Sequence, residues 1–277
     1  MRIVKITSGL GNQLFQYAFA RVVSIETNEK VMLDISNYKF YSDRLFSLNL
    51  FNLFEFKYIN SYFYFILFIF IYKLNKFWPY LFKNIYFEKY PCNYNSKLPS
   101  NKFYFQGYFQ SEKYFNKYRP LLLNEITLKK PLNSKYISIL NNNNNTVSIH
   151  VRRGDYLNEL NKSIFITFSS DYYFDAIKLI VKKVKNPFFL IFSDDIVWCK
   201  KNLNIDYPHL FINSSSPEQD LILMSKCKHN IISNSSFSWW GAWLNKSRNK
   251  IVIAPKKWMN KNLIYYKDIC PNYWVRI

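Results

Sequence analysis

Apolar positions change their period several times along this chain, and the changes mark out its elements. Arg2–Ser8 (RIVKITS) reads as a strand, and Gly9-Leu10-Gly11 turns it into a helix beginning near Asn12. Leu14, Ala18, Val22 and Ile25 recur at helical spacing and make one apolar face. Val31–Ile35 (VMLDI) is a second strand, so the chain opens with a β-loop-α-β unit. Residues 36–145 hold aromatic runs and scattered prolines, and the pattern there predicts mostly helix. Within them, Tyr62–Tyr72 (YFYFILFIFIY) is uncharged and apolar for 11 residues. A membrane-spanning helix needs about 20. A buried helix or strand pair is expected, with shallow attachment to a membrane surface as the other reading.

Asn141–Asn145 is a low-complexity tract just before a strand, read as a loop or linker. It divides the chain into domains 1–145 and 146–277. Beyond it the pattern sharpens. Strand TVSIHV, a helix capped by Ser170 or Asp171, strand PFFLIFS, a short helix near Val197–Leu203 and strand PHLFI follow in turn. Ser216, Pro217 and Gln219 then spell a capping box at a helix start. Strand NIIS, helix SFSWWGAWLNK and strand KIVIAP complete the series. Alternating strands and helices predict an α/β fold with a parallel sheet covered on both faces. Ligands in such folds bind beyond the carboxyl ends of the strands. His150–Asp155, Ser193–Asp195 and Ser233–Ser238 all fall at that edge.

Composition changes this picture little. The chain has 277 residues, 49% of them hydrophobic, with only 5 glycines, which marks an ordered globular protein. Lys and Arg number 38 against 18 Asp and Glu, a formal charge of +20 that favours polyanions. Most of the excess is scattered lysine, which reads as a solvated basic surface. No nucleic-acid-binding motif accompanies it, so nucleic acid is not expected as a partner. Cys92, Cys199, Cys227 and Cys270 lie far apart without metal-ligand spacing, and read as reduced thiols of a cytoplasmic protein. The N-terminal residues lack the long apolar core of a signal peptide.

Three loops carry candidate chemistry. Gly9-x-Gly11 suggests a dinucleotide fingerprint with Asp34 as the ribose acid, but the third glycine position holds Leu14. The simpler functional reading is a tight turn that brings backbone N–H groups and the Asn12 side chain to a ligand; a plain βα turn is as good. Arg152 and Arg153 end a strand that should be buried. A planar anion such as a pyrophosphate suits them, and an internal pair with Asp155 suits them equally. His150 shares a face with Arg152 and is a ligand contact or a satisfied core histidine. Asp194 and Asp195 bind a metal, contact a ribose or base, or cap the next helix. Ser235, Ser236 and Ser238 crowd a helix N-terminus, as anion ligands or as ordinary caps. Trp239, Trp240 and Trp243 read as core. Three phosphate-competent loops on one edge favour a nucleotide, and the absent G-x-x-x-x-G-K-[ST] disfavours its hydrolysis.

GLGNQLFQYAFAR (Gly9–Arg21), GYFQSEKYF (Gly107–Phe115), SIHVRRGDY (Ser148–Tyr156) and EQDLILMSKCKHNIISNSSFSWWGAWL (Glu218–Leu244) together resemble the α-1,2-fucosyltransferases of glycosyltransferase family 11. The resemblance implies a GT-B-like α/β fold of two Rossmann-like domains facing across a cleft. It implies an inverting, metal-independent transfer of L-fucose from GDP-β-L-fucose to a galactoside hydroxyl, with no further cofactor. By the same resemblance, Arg152 and Arg153 are pyrophosphate ligands, and Gly9, Gly11, Asn12 and Gln13 face the donor. Asp220, Ser235 and Ser236 contact the nucleotide or its phosphates. Asp155 is the first candidate for general base, or else orients an arginine. The partners implied are a nucleotide sugar and a glycan acceptor of a bacterial surface polysaccharide or lipopolysaccharide. The expected location is cytoplasmic, with peripheral contact at the anionic inner face of the membrane left open. Two other readings stand beside this one: a transferase of another GDP-sugar or linkage, and a nucleotide- or polyanion-binding module without transfer activity.

Overall fold

Each half of the chain builds its own parallel sheet in the computed structural model, which describes residues 1–40, 44–75, 77–78, 82–96, 101–213, 216–262 and 265–277. In the first half these strands are β1 (Arg2–Lys5), β2 (Val31–Asp34), β3 (Lys57–Ile59), β4 (Ile85–Phe87) and β5 (Tyr104–Gln106). They pair in parallel in the order β3-β2-β1-β5-β4. The second half contributes β6 (Thr146–Val151), β7 (Phe188–Ser193), β8 (His209–Phe211), β9 (His229–Ile231), β10 (Val252–Ala254) and β11 (Val275–Arg276). Their order, β8-β7-β6-β9-β10-β11, is that of a doubly wound nucleotide-binding sheet, whose direction of winding reverses between β6 and β9.

The second sheet shows how sequence becomes structure. Every residue of β6 is buried, so the strand reads as an unbroken run rather than an alternation. Alternate side chains still part to opposite faces. Val147, Ile149 and Val151, with Phe189 and Ile191 of β7, pack against Tyr173, Ala176, Ile177 and Ile180 of helix Ser170–Val181. Leu190 and Phe192 face the other way, against Leu223 and Met224 of helix Pro217–Lys226. On that same face β6 presents Ser148, whose hydroxyl accepts from Asn230 Nδ2 at 2.7 Å. Trp239, Trp240 and Trp243 of helix Ser236–Trp243 are fully buried core, as their spacing suggests.

The chain divides into a unit of Met1–Thr127 with Ile264–Ile269, and a unit of Leu128–Leu263 with Cys270–Ile277. The division falls before the asparagine tract rather than after it. Residues 134–142 form a helix whose Tyr136, Ile139 and Leu140 pack on the Leu190–Met224 core, so this segment belongs with the second sheet. The tract is therefore partly helical, and Asn145 Nδ2 donates to the Lys185 carbonyl.

Three further expectations are corrected. Residues 36–145 are not mostly helix: they supply β3, β4 and β5, each three residues long. The capping box does not form, because the Ser216 hydroxyl turns to Glu218 and Gln219 accepts from the backbone N–H of Asn133 at 3.1 Å. Tyr62–Asn75 is a helix, but only one side of it is buried. Phe68 stacks on Tyr104, with centroids 3.6 Å apart, while Phe63 and Phe70 on the far side are exposed. No helix among the described residues is long and apolar enough to cross a membrane.

Candidate functional site

Parallel strands β6, β7 and β9 deliver three loops to one sheet edge. Arg152 and Arg153 follow β6 directly, Asp194 and Asp195 follow β7, and Ile232–Ser235 lead from β9 to the helix at Ser236. This edge lies at the reversal point between β6 and β9, where such sheets take their ligands.

The two arginines are held differently. Arg152 makes ion pairs to Asp155 Oδ1 at 2.5 Å and Asp194 Oδ2 at 2.8 Å, and lies over the Tyr156 ring at 5.4 Å. Arg153 rests on Trp198, its guanidinium carbon 3.9 Å from the ring centroid, and its Nε donates to Asp195 Oδ2 at 3.4 Å. Among the described residues, no carboxylate or carbonyl accepts a hydrogen bond from its two Nη nitrogens. Arg152 is thus internally paired by two carboxylates, whereas the Nη fork of Arg153 is uncommitted among the described residues.

Asp194 binds this edge together. Its Oδ1 accepts from the backbone N–H of Arg153 at 2.9 Å, while Oδ2 takes Arg152. A β-carbon at Gly154 would lie 2.6 Å from that Oδ2, so the glycine leaves the room the carboxylate uses. Asp195 caps helix Ile196–Asn202, accepting from Trp198 N at 3.0 Å. Neither aspartate belongs to a group of three or more metal-binding side chains, and no such group occurs among the described residues.

His150 is buried at 4% exposure, and its Nδ1 meets Ser233 Oγ at 2.9 Å. Burial, with Arg152 nearby, pushes the imidazole down to about 3, so it is neutral at pH 7. It ties β6 to the segment after β9 as a satisfied histidine. Ser235 is the N-cap of helix Ser236–Trp243, its hydroxyl accepting from Phe237 N at 3.3 Å, and Ser236 stands half-buried beside it. Asp220 sits in the first turn of helix Pro217–Lys226. Tyr156 donates to the Asn234 carbonyl at 3.0 Å and stacks on Phe165, locking the arginine loop to the serine turn.

The first unit gathers a second set of loops at its own reversal point, between β1 and β5. Here the glycine reading needs revision. Ser8, not a glycine, carries the left-handed backbone, with φ 69°. Gly9 is extended and serves as N-cap of helix Leu10–Thr27, and Gly11 lies within the helix. A β-carbon on Gly9 would meet nothing within 4 Å, so the turn does not itself demand glycine there. Gln13 is fully buried, donating to the Ser8 and Leu45 carbonyls and accepting from Ser47 N; it braces the loop and cannot also face a donor. Asn12 bridges Ser8 Oγ at 2.9 Å and Gln110 Nε2 at 2.6 Å, tying the β1 loop to the β5 loop. Asp34 is not a ribose acid: it is buried beneath Tyr104, whose hydroxyl donates to it at 2.7 Å.

No local pattern points to Glu88. It follows β4 and accepts from the backbone N–H of Tyr108 at 2.6 Å and of Phe109 at 3.0 Å. Its Oε1 is buried with no hydrogen-bond partner among the described residues, and burial raises the carboxyl to about 8. Trp198 was equally unforeseen. Only a contact across 45 positions of sequence gives it meaning, and no local pattern encodes that.

Known proteins resemble this chain at two levels. An α-1,2-colitosyltransferase of Escherichia coli is 36% identical over 99% of this chain and 98% of its own length. The O-antigen biosynthesis glycosyltransferase WbnK of Escherichia coli is 32% identical over 93% of this chain and 94% of its own. Among solved structures, the NodZ α-1,6-fucosyltransferase soaked with GDP-fucose superposes with a TM-score of 0.52, covering 88% of this chain and 92% of that one at 13% identity. POFUT1 in complex with GDP gives 0.53, covering 91% and 97% at 10% identity. These distant likenesses concern the fold, which is of GT-B type. The sequence profile of Glycosyl transferase family 11 matches residues 68–277, and with two relatives above 30% identity along nearly their full length, the chain belongs to glycosyltransferase family 11.

Proposed function

We propose that the chain transfers a 6-deoxy-L-hexose from a GDP-linked donor to O2 of a galactose in a bacterial surface glycan, with inversion at the sugar carbon. L-Fucose from GDP-β-L-fucose is the first reading. One observation carries it: a guanidinium with an uncommitted fork, Arg153, stands at the reversal point of a doubly wound sheet, on the same sheet edge as the Ser235–Ser236 helix start. The 36% identical colitosyltransferase favours a second reading in which the sugar is colitose.

In the reaction the bond between the sugar C1 and the β-phosphate oxygen breaks as the acceptor oxygen attacks the opposite face, and the acceptor hydroxyl's proton passes to a carboxylate or solvent base. Negative charge grows on the leaving diphosphate, and preformed guanidinium donors stabilise it more in the transition state than in the ground state. Arg153 is the donor in this reading, and Arg152 supplies field and position. We therefore infer a transfer that needs no metal or other cofactor. Asp155, ion-paired to Arg152, is read as the group that orients the arginine. Asp220, Ser235 and Ser236 are assigned to the nucleotide. The reaction is assigned to the cytoplasm, where the four buried free thiols are stable.

Isothermal titration of the purified protein with GDP in EDTA, beside Arg153→Ala, tests the site. Binding by the parent that the variant loses supports this reading; no binding by a folded parent overturns it. Transfer assays with GDP-fucose and GDP-colitose on a β-galactoside, with the product linkage read by NMR, then separate the two sugars.

A further inference from the structure

Helix Tyr62–Asn75 carries no charged residue before Lys73, and its side chains are apolar all the way round. A helix of that kind is normally enclosed on every side. This one is not. Phe65 and Phe68 are buried, and Phe68, Tyr64 and Ile71 pack on Ile3, Ile59, Ile85 and Tyr104 of the first unit. On the opposite side Tyr62 is 60% exposed, Phe63 69%, Ile66 44% and Phe70 59%. Their spacing sets them on one face, and the exposed Lys73 continues it by one turn. Just past the helix, Phe77 and Trp78 are also exposed.

The stretch of sequence that carries this helix, between Glu55 and Glu88, is basic. Residues 56–87 contain four lysines and no aspartate or glutamate. Aromatic side chains with lysines at the margin suit the boundary between lipid headgroups and acyl chains. At about 1.5 Å per residue the helix is roughly 21 Å long, shorter than the ~30 Å hydrocarbon layer, so it would lie along the surface rather than cross it. A second copy fits less well. A symmetric contact through this face would bring Lys73 of both copies into it, with no acid on the helix to pair them. We propose that the Tyr62–Phe70 face docks the protein onto an anionic lipid surface, independently of which sugar it transfers.

The test uses the full chain with vesicles of phosphatidylcholine alone, and of phosphatidylcholine mixed with phosphatidylglycerol, at low salt. Co-sedimentation with the mixed vesicles only is expected. The variant Phe63→Ser/Ile66→Ser/Phe70→Ser should bind them at least about tenfold more weakly, since three exposed apolar side chains that would enter the lipid are lost. It should keep the GDP affinity of the parent, because none of the three touches the arginine loops; that equality shows that the variant is folded. Lys57→Glu/Lys73→Glu should weaken binding as well. The proposal is overturned if the parent ignores the mixed vesicles or binds neutral ones equally. It is overturned too if the serine variant binds as the parent does, which would leave bulk charge as the cause. A dimer in sedimentation velocity that the serine variant abolishes would give the face to a second copy instead.

Discussion

Arg153 lies over the indole of Trp198, 3.9 Å from the ring centroid, with its Nε donating to Asp195 and neither Nη nitrogen bonded to an acceptor among the described residues. The ring and one carboxylate fix the plane of the guanidinium and leave its fork for a ligand. Arg153→Ala should lower turnover by about 10²–10³-fold, the usual effect of losing one transition-state donor. Arg153→Lys should recover little, since an ammonium neither stacks flat nor binds in a fork. Trp198→Ala should cost less, about 0.5–2 kcal/mol, the range of a cation–π contact. Steady-state kinetics on the three variants ranks them. An Arg153→Ala enzyme with near-normal turnover would remove this residue from the chemistry.

Gly154 and Asp194 give a more local prediction. In Gly154→Ala the new methyl would press on Asp194 Oδ2 and Cγ, and the carboxylate cannot yield without releasing Arg152 or the Arg153 N–H. Overpacking of this kind costs about 1–3 kcal/mol. Urea denaturation should show that loss, and kcat should fall with it as the two arginines lose their fixed positions.

Two buried groups should shape stability against pH, with opposite signs. His150 titrates near 3 in the folded chain, against about 6.5 when unfolded. Between those values the unfolded chain holds the extra proton, so stability falls as pH drops through this window, by up to about 1.4 kcal/mol per unit. Glu88 titrates near 8 folded and 4.5 unfolded, so its contribution is full below 4.5 and declines as pH rises toward 8. Denaturation of the parent at several pH values, beside His150→Asn and Glu88→Gln, tests both. Each variant should flatten its own slope and leave the other. A His150→Asn protein with the parent's acid slope would contradict the first.

Glu125 links two helices of the first unit. It accepts from the Tyr17 hydroxyl at 2.5 Å and from Arg21 Nε at 2.9 Å, with both charged side chains largely buried. Glu125→Ala strands a buried guanidinium and should destabilise the protein by about 3–5 kcal/mol, read as a lowered midpoint in thermal unfolding. Glu125→Gln keeps one acceptor oxygen and turns the other into an NH2 donor, so one of the two bonds survives and the cost should be smaller than for alanine.

The sequence disclosed the second unit far better than the first. Strands such as Thr146–Val151 and Phe188–Ser193 are buried on both faces, so they stand out as apolar runs between helices of clear period. β3, β4 and β5 are three residues each and rich in tyrosine and phenylalanine, as are the helices and loops around them. Where every element is aromatic, period carries little information. The arginines were legible because they adjoin in sequence at a strand end. Which of them is spoken for was not, because Asp194 and Trp198 reach them from the loop and helix after β7. Gln13 misled for a related reason: a polar residue in a glycine loop looks like a ligand group until its amide is found fully used by the loop itself.

Near its C-terminus the chain returns to the first unit for Ile264–Ile269 before closing the second sheet with β11. Within that return, Asp268 accepts from Tyr94 N at 3.0 Å and pairs with Lys113 at 2.5 Å, and its own N–H donates to the Cys92 carbonyl at 3.0 Å. The modules are therefore interleaved in the gene. Recombination between relatives at one crossover near residue 128 would separate Tyr94 and Lys113 from the aspartate that evolved with them. An exchange that respects the fold has to move two non-contiguous stretches at once. Donor and acceptor preferences in such a lineage would then change by point substitution at the loops more readily than by shuffling of whole halves.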